Sequence, residues 1–221
     1  MTVGSTIYQT IKHDIIFGAL KPGEKLKLDM LKKRYDASLS TLRETLNRLA
    51  SEGFVDAPEQ RGFYVHPISV DDLREIANLR VLLECHALDL SLQKGDTEWE
   101  GNLVAAHHKL YRMEQERLAG NQTKTEDWKR YDWEFHFAMI AACDSKNLLD
   151  LHATIFDKYL RYQMLVLTYR GEVAMREHKA MLDSALSRDA ELTKKLLAQH
   201  VENGLIHCLE AMDEQELIPQ R

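Results

Sequence analysis

Apolar side chains recur every three or four positions in three short blocks before residue 53, and they do so almost without interruption after residue 70. Ile7, Ile11, Ile15 and Ile16 predict a helix over Thr6–Phe17, which Gly18 and the turn Lys21-Pro22-Gly23-Glu24 bring to an end. A short helix is expected near Asp29–Tyr35. A third starts at Ser38 or Ser40, either a good cap, and carries Leu42, Leu46 and Leu49 to Glu52, where Gly53 stops it. Phe54-Val55-Asp56-Ala57 and Gly62-Phe63-Tyr64-Val65 read as two short strands joined by Pro58-Glu59-Gln60-Arg61. Beyond Pro67 the pattern is helical throughout, with helices expected over Asp71–Gln93, Trp99–Ala119, Thr125–Cys143, Asn147–Tyr169, Val173–Ser187 and Asp189–Met212. Turn-forming pairs at Gly95-Asp96, Gly120-Asn121, Asp144-Ser145 and Arg170-Gly171 separate them. The expected fold is mainly α: a winged helix-turn-helix over residues 1–69, then an all-α antiparallel helical bundle over residues 70–221.

Composition narrows the class. Hydrophobic residues make up 44% and charged residues 29%, the balance of a globular chain with a real core. No apolar run approaches the roughly 20 residues that span a bilayer, and no signal peptide precedes the first helix. The three cysteines, Cys85, Cys143 and Cys208, are widely spaced on apolar helical faces. They form neither a disulfide framework nor a CxxC metal motif, so packed thiols in a reducing cytoplasm are expected. Net charge divides unevenly. Residues 1–69 hold 10 Lys+Arg against 8 Asp+Glu, a net of +2, whereas the remainder nets −8. That asymmetry is compatible with nucleic-acid contact through the N-terminal third.

The core positions include unusual chemistry. A helical residue advances about 100°, so Asp132 and His136 share a stripe with Trp128, Phe135, Met139 and Cys143. His178 falls among Ala174, Met175, Met181, Leu182 and Ala185, and His200 beside Leu196, Leu197 and Asn203. An unpaired carboxylate away from water costs several kcal/mol or more. Three imidazoles aimed at the same interior can supply the missing cation by holding a divalent metal. His178 and His200 each lie 11 residues from Asp189, so an antiparallel hairpin turning there sets them at one height. Asp132 and His136 present their groups from a single turn of a third helix. One carboxylate and three imidazoles suit Zn first, with Ni, Fe or Mn also possible. With ten histidines in the chain, a chance acid–histidine pairing is the competing reading. His107, His108, His152 and His207 lack such support and are expected to be solvated or bonded locally.

Arg80 falls on a buried stripe with Leu73, Ile76, Leu83 and Ala87. Its guanidinium can grip a ligand carboxylate through two parallel hydrogen bonds, or pair with Glu84 one turn away. Arg161, on a mixed stripe with Thr154, Met164 and Thr168, and Asn203, one turn past His200, are further candidates to contact a small organic acid. In the N-terminal third, Ser38, Ser40, Thr41 and Arg43 open the second helix of the helix-turn-helix, where side chains reach base edges and phosphates. Ser38 and Ser40 can equally serve as caps. Arg61, beside Gly62 at the hairpin tip, could reach a minor groove or backbone, and Lys32-Lys33-Arg34 is a basic run open to phosphate contact or plain solvation.

The segments Ile15–Leu26, Ser38–Leu46, Leu49–Val55 and Arg61–Val65 together resemble the GntR family of bacterial regulators. That resemblance implies a homodimer binding a palindromic operator in double-stranded DNA. Leu39 replaces the arginine the family usually carries after the serine, so operator sequence does not carry over. Residues 71–210 resemble the FCD ligand-binding domain of the FadR-type branch, through Asp132-x-x-Phe135-His136, Ser145-x-Asn147-x-Leu149, Glu177-His178, Arg188-Asp189 and Gln199-His200. Six predicted helices look most like its VanR-type variant. The resemblance implies that Asp132, His136, His178 and His200 ligate a metal and that the effector is a small organic acid. A metabolite-responsive repressor without enzymatic activity is therefore expected. The alternatives are a metal-dependent enzyme using the same four residues, for which no general base stands out, and a metal sensor needing no organic ligand.

Overall fold

The computed structural model describes residues 3–121, 123–167 and 169–217. Among these, a small mixed head is followed by helices alone. The head holds α1 (Val3–Ile16), β1 (Lys25–Leu26), α2 (Leu28–Tyr35), α3 (Leu39–Ser51), β2 (Val55–Asp56) and β3 (Phe63–Val65). Ile11, Ile15, Leu31, Leu42, Leu46 and Leu49 are fully buried against one another, so the spacing that predicts each helix also supplies its shared core. Ser38 caps α3, its Oγ accepting from the Thr41 backbone N–H at 3.1 Å. The sheet runs β1-β3-β2, all antiparallel, with Leu26 opposite Phe63 and Val55 opposite Val65. β1 is absent from the pattern-based reading because two residues cannot display a period of two. Gly62 turns the hairpin at φ 87°, in the left-handed region that glycine enters without penalty.

The bundle comprises α4 (Val70–Lys94), α5 (Thr97–Leu118), α6 (Thr125–Ile140), α7 (Lys146–Val166), α8 (Glu172–Leu186) and α9 (Ala190–Glu214). Ser69, Asp96 and Asp189 cap α4, α5 and α9 by accepting from the backbone N–H three residues on, at 2.9 to 3.1 Å. The expected helix to Cys143 instead tightens after Ile140 into a 3-10 turn, Ala141–Cys143, and Asp144 ends it in the left-handed conformation. Aligning α8 and α9 about Arg188 and Asp189 brings His178 and His200 together, their ring centroids 4.6 Å apart. All three cysteines are free thiols; Cys143 and Cys208 are buried and Cys85 is half-buried.

Head and bundle are joined by packing as well as by chain. Phe156 and Leu160 of α7 belong to the head's own core cluster, and Trp133 of α6 packs on it. Lys12 of α1 reaches Asp157 at 2.7 Å. Truncating Phe156 to alanine should cost about 3–5 kcal/mol in chemical denaturation, the usual range for a buried phenyl ring. A loss below about 1 kcal/mol would show that the head's core does not extend onto α7.

Candidate metal centre

Three helices deliver three imidazoles to one point. One ring nitrogen from each of His136 (α6), His178 (α8) and His200 (α9) lies within 4.8 Å of the other two, and all three residues are buried. Each is also held from behind by its own glutamate. His136 Nδ1 lies 3.0 Å from Glu84 Oε2, His178 Nδ1 2.8 Å from Glu114 Oε1, and His200 Nδ1 2.7 Å from Glu177 Oε2. Arg80 Nη2 also lies 3.0 Å from His136 Nδ1, and Arg170 Nη2 3.1 Å from His200 Nδ1. A carboxylate can only accept, so wherever Nδ1 donates to its glutamate a neutral imidazole keeps its lone pair on Nε2. The Nε2 atoms of His136 and His178 are buried without any hydrogen-bond partner. Burial, with the neighbouring histidines and arginines, holds the pKa of His200 well below the ordinary imidazole value, and burial with Arg80 lowers that of His136.

Asp132 stands at the edge of this triad. Its Oδ1 is 3.5 Å from His178 Nε2 and its Oδ2 3.6 Å from Lys129 Nζ. Burial works to raise its pKa, but Lys129, His136 and His178 outweigh that, keeping it ionised and well below the usual carboxylate range. This donor set suits a divalent cation. The centre opens on a cavity of about 40 Å³ whose lining includes Asp132, His178, His200, Arg80, Lys129 and Arg170.

The other expected contacts divide. Arg80 lines the cavity, but its charge is already committed: Nε donates to Glu84 at 2.5 Å and the guanidinium lies over the Phe156 and Tyr159 rings. Arg161 is elsewhere, outside the cavity lining, donating to the backbone carbonyl of His66 at the junction with the head. Thr168, grouped with it by sequence, lies outside the described residues. Asn203 does not face the inner cavity and donates instead to Glu177 Oε1 at 2.7 Å. His152 is neither solvated nor locally bonded. It is fully buried, and its Nε2 lies 3.0 Å from Glu84 Oε1, 68 residues away in sequence. His107 is buried against Phe135, its pKa pushed down to about 4 by burial. His108 is exposed, and His207 sits half-buried at the cavity wall.

Sequence reasoning missed four residues here. Glu114 lies at helical spacing with Leu103, Leu110 and Arg117 on the buried face of α5, a signal that was available. Glu177 was visible only as the neighbour of His178. Lys129, fully enclosed and donating to Gln163 Oε1 at 2.9 Å, sits beside Trp128 with no periodic cue of its own. Arg170 belongs to an interhelix turn, where periodicity says nothing, yet it lines the cavity and meets Glu177 Oε2 at 2.8 Å.

On the head, Ser38 Oγ lies 3.1 Å from Ser40 Oγ and 2.9 Å from Thr41 Oγ1, one hydroxyl cluster at the start of α3. Ser38, Ser40, Arg43, Arg61 and Gly62 are exposed, and Thr41 is half-buried. Lys32, Lys33 and Arg34 are exposed as well, Arg34 being tied to Asp14 at 2.6 Å. Among the described residues, no helix is long and apolar enough to cross a membrane.

A winged head carried on a helical bundle with a histidine-lined chamber is the architecture of a transcriptional regulator. Residues 4–65 match the bacterial regulatory proteins of the gntR family, and residues 75–203 match the FCD domain. The chain belongs to the GntR family and carries an FCD domain. It is 35% identical over 200 residues to the HTH-type transcriptional regulator BphR of Paraburkholderia xenovorans (strain LB400), covering 90% of this chain and 82% of that protein. To the HTH-type transcriptional repressor GlaR of Escherichia coli (strain K12) it is 30% identical, with 88% and 90% covered. The solved structure of E. coli McbR/YncC has the same fold, with a TM-score of 0.80 at 18% identity over 95% of this chain and 98% of that one. These relatives are transcriptional regulators, which sets aside the enzymatic alternative.

If Arg80 is structural, replacing it with methionine leaves Glu84 buried without its cation and should cost about 3–5 kcal/mol in urea unfolding. Unchanged stability would return Arg80 to the role of a free anion clamp.

Proposed function

We propose that this regulator is a metabolite-responsive repressor that binds a palindromic operator as a homodimer and senses a small organic acid at a metal held by Asp132, His136, His178 and His200. The observation that carries the reading is the set of three imidazoles whose ring nitrogens come within 4.8 Å of one another, each backed by its own glutamate, with the Nε2 atoms of His136 and His178 buried and partnerless. Backing carboxylates of this kind fix the tautomer and raise the basicity of metal-ligating histidines. Zinc fits the donor set best, with nickel, iron or manganese as alternatives. The ion would act as a Lewis acid toward the effector's carboxylate.

Transmission to DNA follows from α6. Its inward side carries Asp132 and His136, while Trp133 packs on the head core and Glu126 Oε2 lies 3.5 Å from His13 Nε2 of α1. An effector that prefers one placement of α6 therefore prefers one placement of the head, and it shifts operator affinity only by that preference. Leu79 and Leu82, one turn apart on α4, are exposed, Leu82 by 65%, which favours a second copy against that helix. The six-helix bundle favours the VanR-type variant. The name repressor carried by GlaR supports the same direction of control for this chain.

Replacing both His178 and His200 with alanine should take the metal:protein ratio from near one to near zero by elemental analysis. A ratio that does not move would remove the site. Loss of operator control on chelation, with no acid able to alter it beforehand, would leave a metal sensor instead. Arg43→Ala should weaken operator binding in a mobility-shift titration by about 1–3 kcal/mol, the range for one base-reading arginine, with metal content unchanged. Unaltered affinity would show that α3 does not read DNA through that residue.

A further inference from the structure

Part of the inner chamber's wall faces a second space as well. A second recess of about 520 Å³, open to solvent, shares Tyr169, Arg170 and His207 with it. The two differ in chemistry. The inner space is bounded mainly by ionisable groups: Asp132, His178, His200, Arg80, Lys129 and Arg170. The outer recess is floored by Val173 at the start of α8 and Ile206 on α9, both exposed by nearly half, with Tyr169 alongside. Arg170, three residues before Val173, lines both spaces and holds Glu177 behind His200. His207, at the same partition, has a buried Nε2 without a hydrogen-bond partner.

Size separates the roles of the two spaces. About 40 Å³ accommodates a carboxylate and little more, being far below the roughly 150 Å³ of a cavity that takes up one benzene. A larger acid cannot lie wholly inside. Its remainder must either stay in bulk water or leave past the shared residues into the recess, where two aliphatic side chains wait uncovered. Apolar groups gain by leaving water, and no other apolar surface adjoins the shared partition residues in the outer lining.

We propose that the outer recess is a second subsite that takes the apolar body of the effector, so that the ligand is a monocarboxylic acid with an alkyl or aryl tail, its head group in the inner chamber and Arg170 at the neck. This rests on the reading of the inner chamber as the carboxylate site. His207 Nε2 offers a polar contact at the neck for a substituent near the head, and Glu210 at the rim disfavours a second anionic end. A tail of several methylenes fits the recess, whereas a dicarboxylate would place its distal charge against Val173 and Ile206.

The test is calorimetric titration of the full-length, zinc-loaded protein with straight-chain acids from acetate to octanoate, with phenylacetate and glutarate alongside, each repeated after chelation. Affinity should rise about two- to four-fold per added methylene, the upper figure corresponding to full burial. Glutarate should bind more weakly than the monoacid of equal length. Ile206→Asp and Val173→Asp alter exposed side chains and should flatten the chain-length series while leaving acetate affinity within about two-fold. Affinity that stays flat or falls with length, or a series unaffected by both substitutions, overturns the recess. A rising series that Ile206→Asp abolishes but chelation leaves untouched upholds the recess and rejects the metal as the carboxylate's anchor. No binding of any acid rejects both.

Discussion

A neutral imidazole carries its lone pair on one of two nitrogens, and a partner on the other nitrogen fixes which one and where it points; this bundle supplies such a partner three times. Glu84 from α4, Glu114 from α5 and Glu177 from α8 each lie 2.7 to 3.0 Å from one histidine Nδ1. These carboxylates need support of their own. Glu84 has it in full, gathering Arg80, His136 and His152, and its pKa is drawn well down despite burial by Arg80 and His136. Glu177 is braced by Arg170 and Asn203. Glu114 is the sparsest, with one oxygen on His178 and the other buried and partnerless. Several helices must therefore be in register before the centre exists, which makes the arrangement a property of the whole bundle rather than of one motif.

The same dependence explains how a small centre could influence a distant head. Arg80 lies over Phe156, and Phe156 belongs to the head's core. Asp132 and His136 share α6 with Trp133 and Glu126, which face α1. Arg161, read from sequence as an effector contact, turns out to link α7 to the carbonyl of His66 just before the bundle begins. Packed side chains of this sort have few alternative arrangements, so a small displacement of α6 is passed on rather than absorbed.

Much of this was legible in the chain. Helical periodicity placed every helix to within a few residues, and the equal spacing of His178 and His200 from Asp189 anticipated their meeting. What escaped had physical reasons. β1 is too short to alternate. Arg170 acts from a turn, where no period exists. His152 and Glu84 meet across 68 residues, a contact set by how α7 lies on α4 and not by either helix's own pattern. Asn203 sits where its helix wheel puts it, beside His200, but its amide is used to orient Glu177 and not to face the cavity. Position on a wheel was readable; the partner chosen by a polar side chain was not.

On this reading three glutamate-backed imidazoles turn their Nε2 atoms on a common ion. Crystals of the metal-loaded protein, measured on either side of the metal's absorption edge, test it most directly. A single anomalous peak is expected about 2.0–2.2 Å from Nε2 of His136, His178 and His200 and from an Asp132 oxygen. A peak at other residues, ligation through Nδ1 with the glutamates displaced, or no peak in protein of full metal content would contradict it.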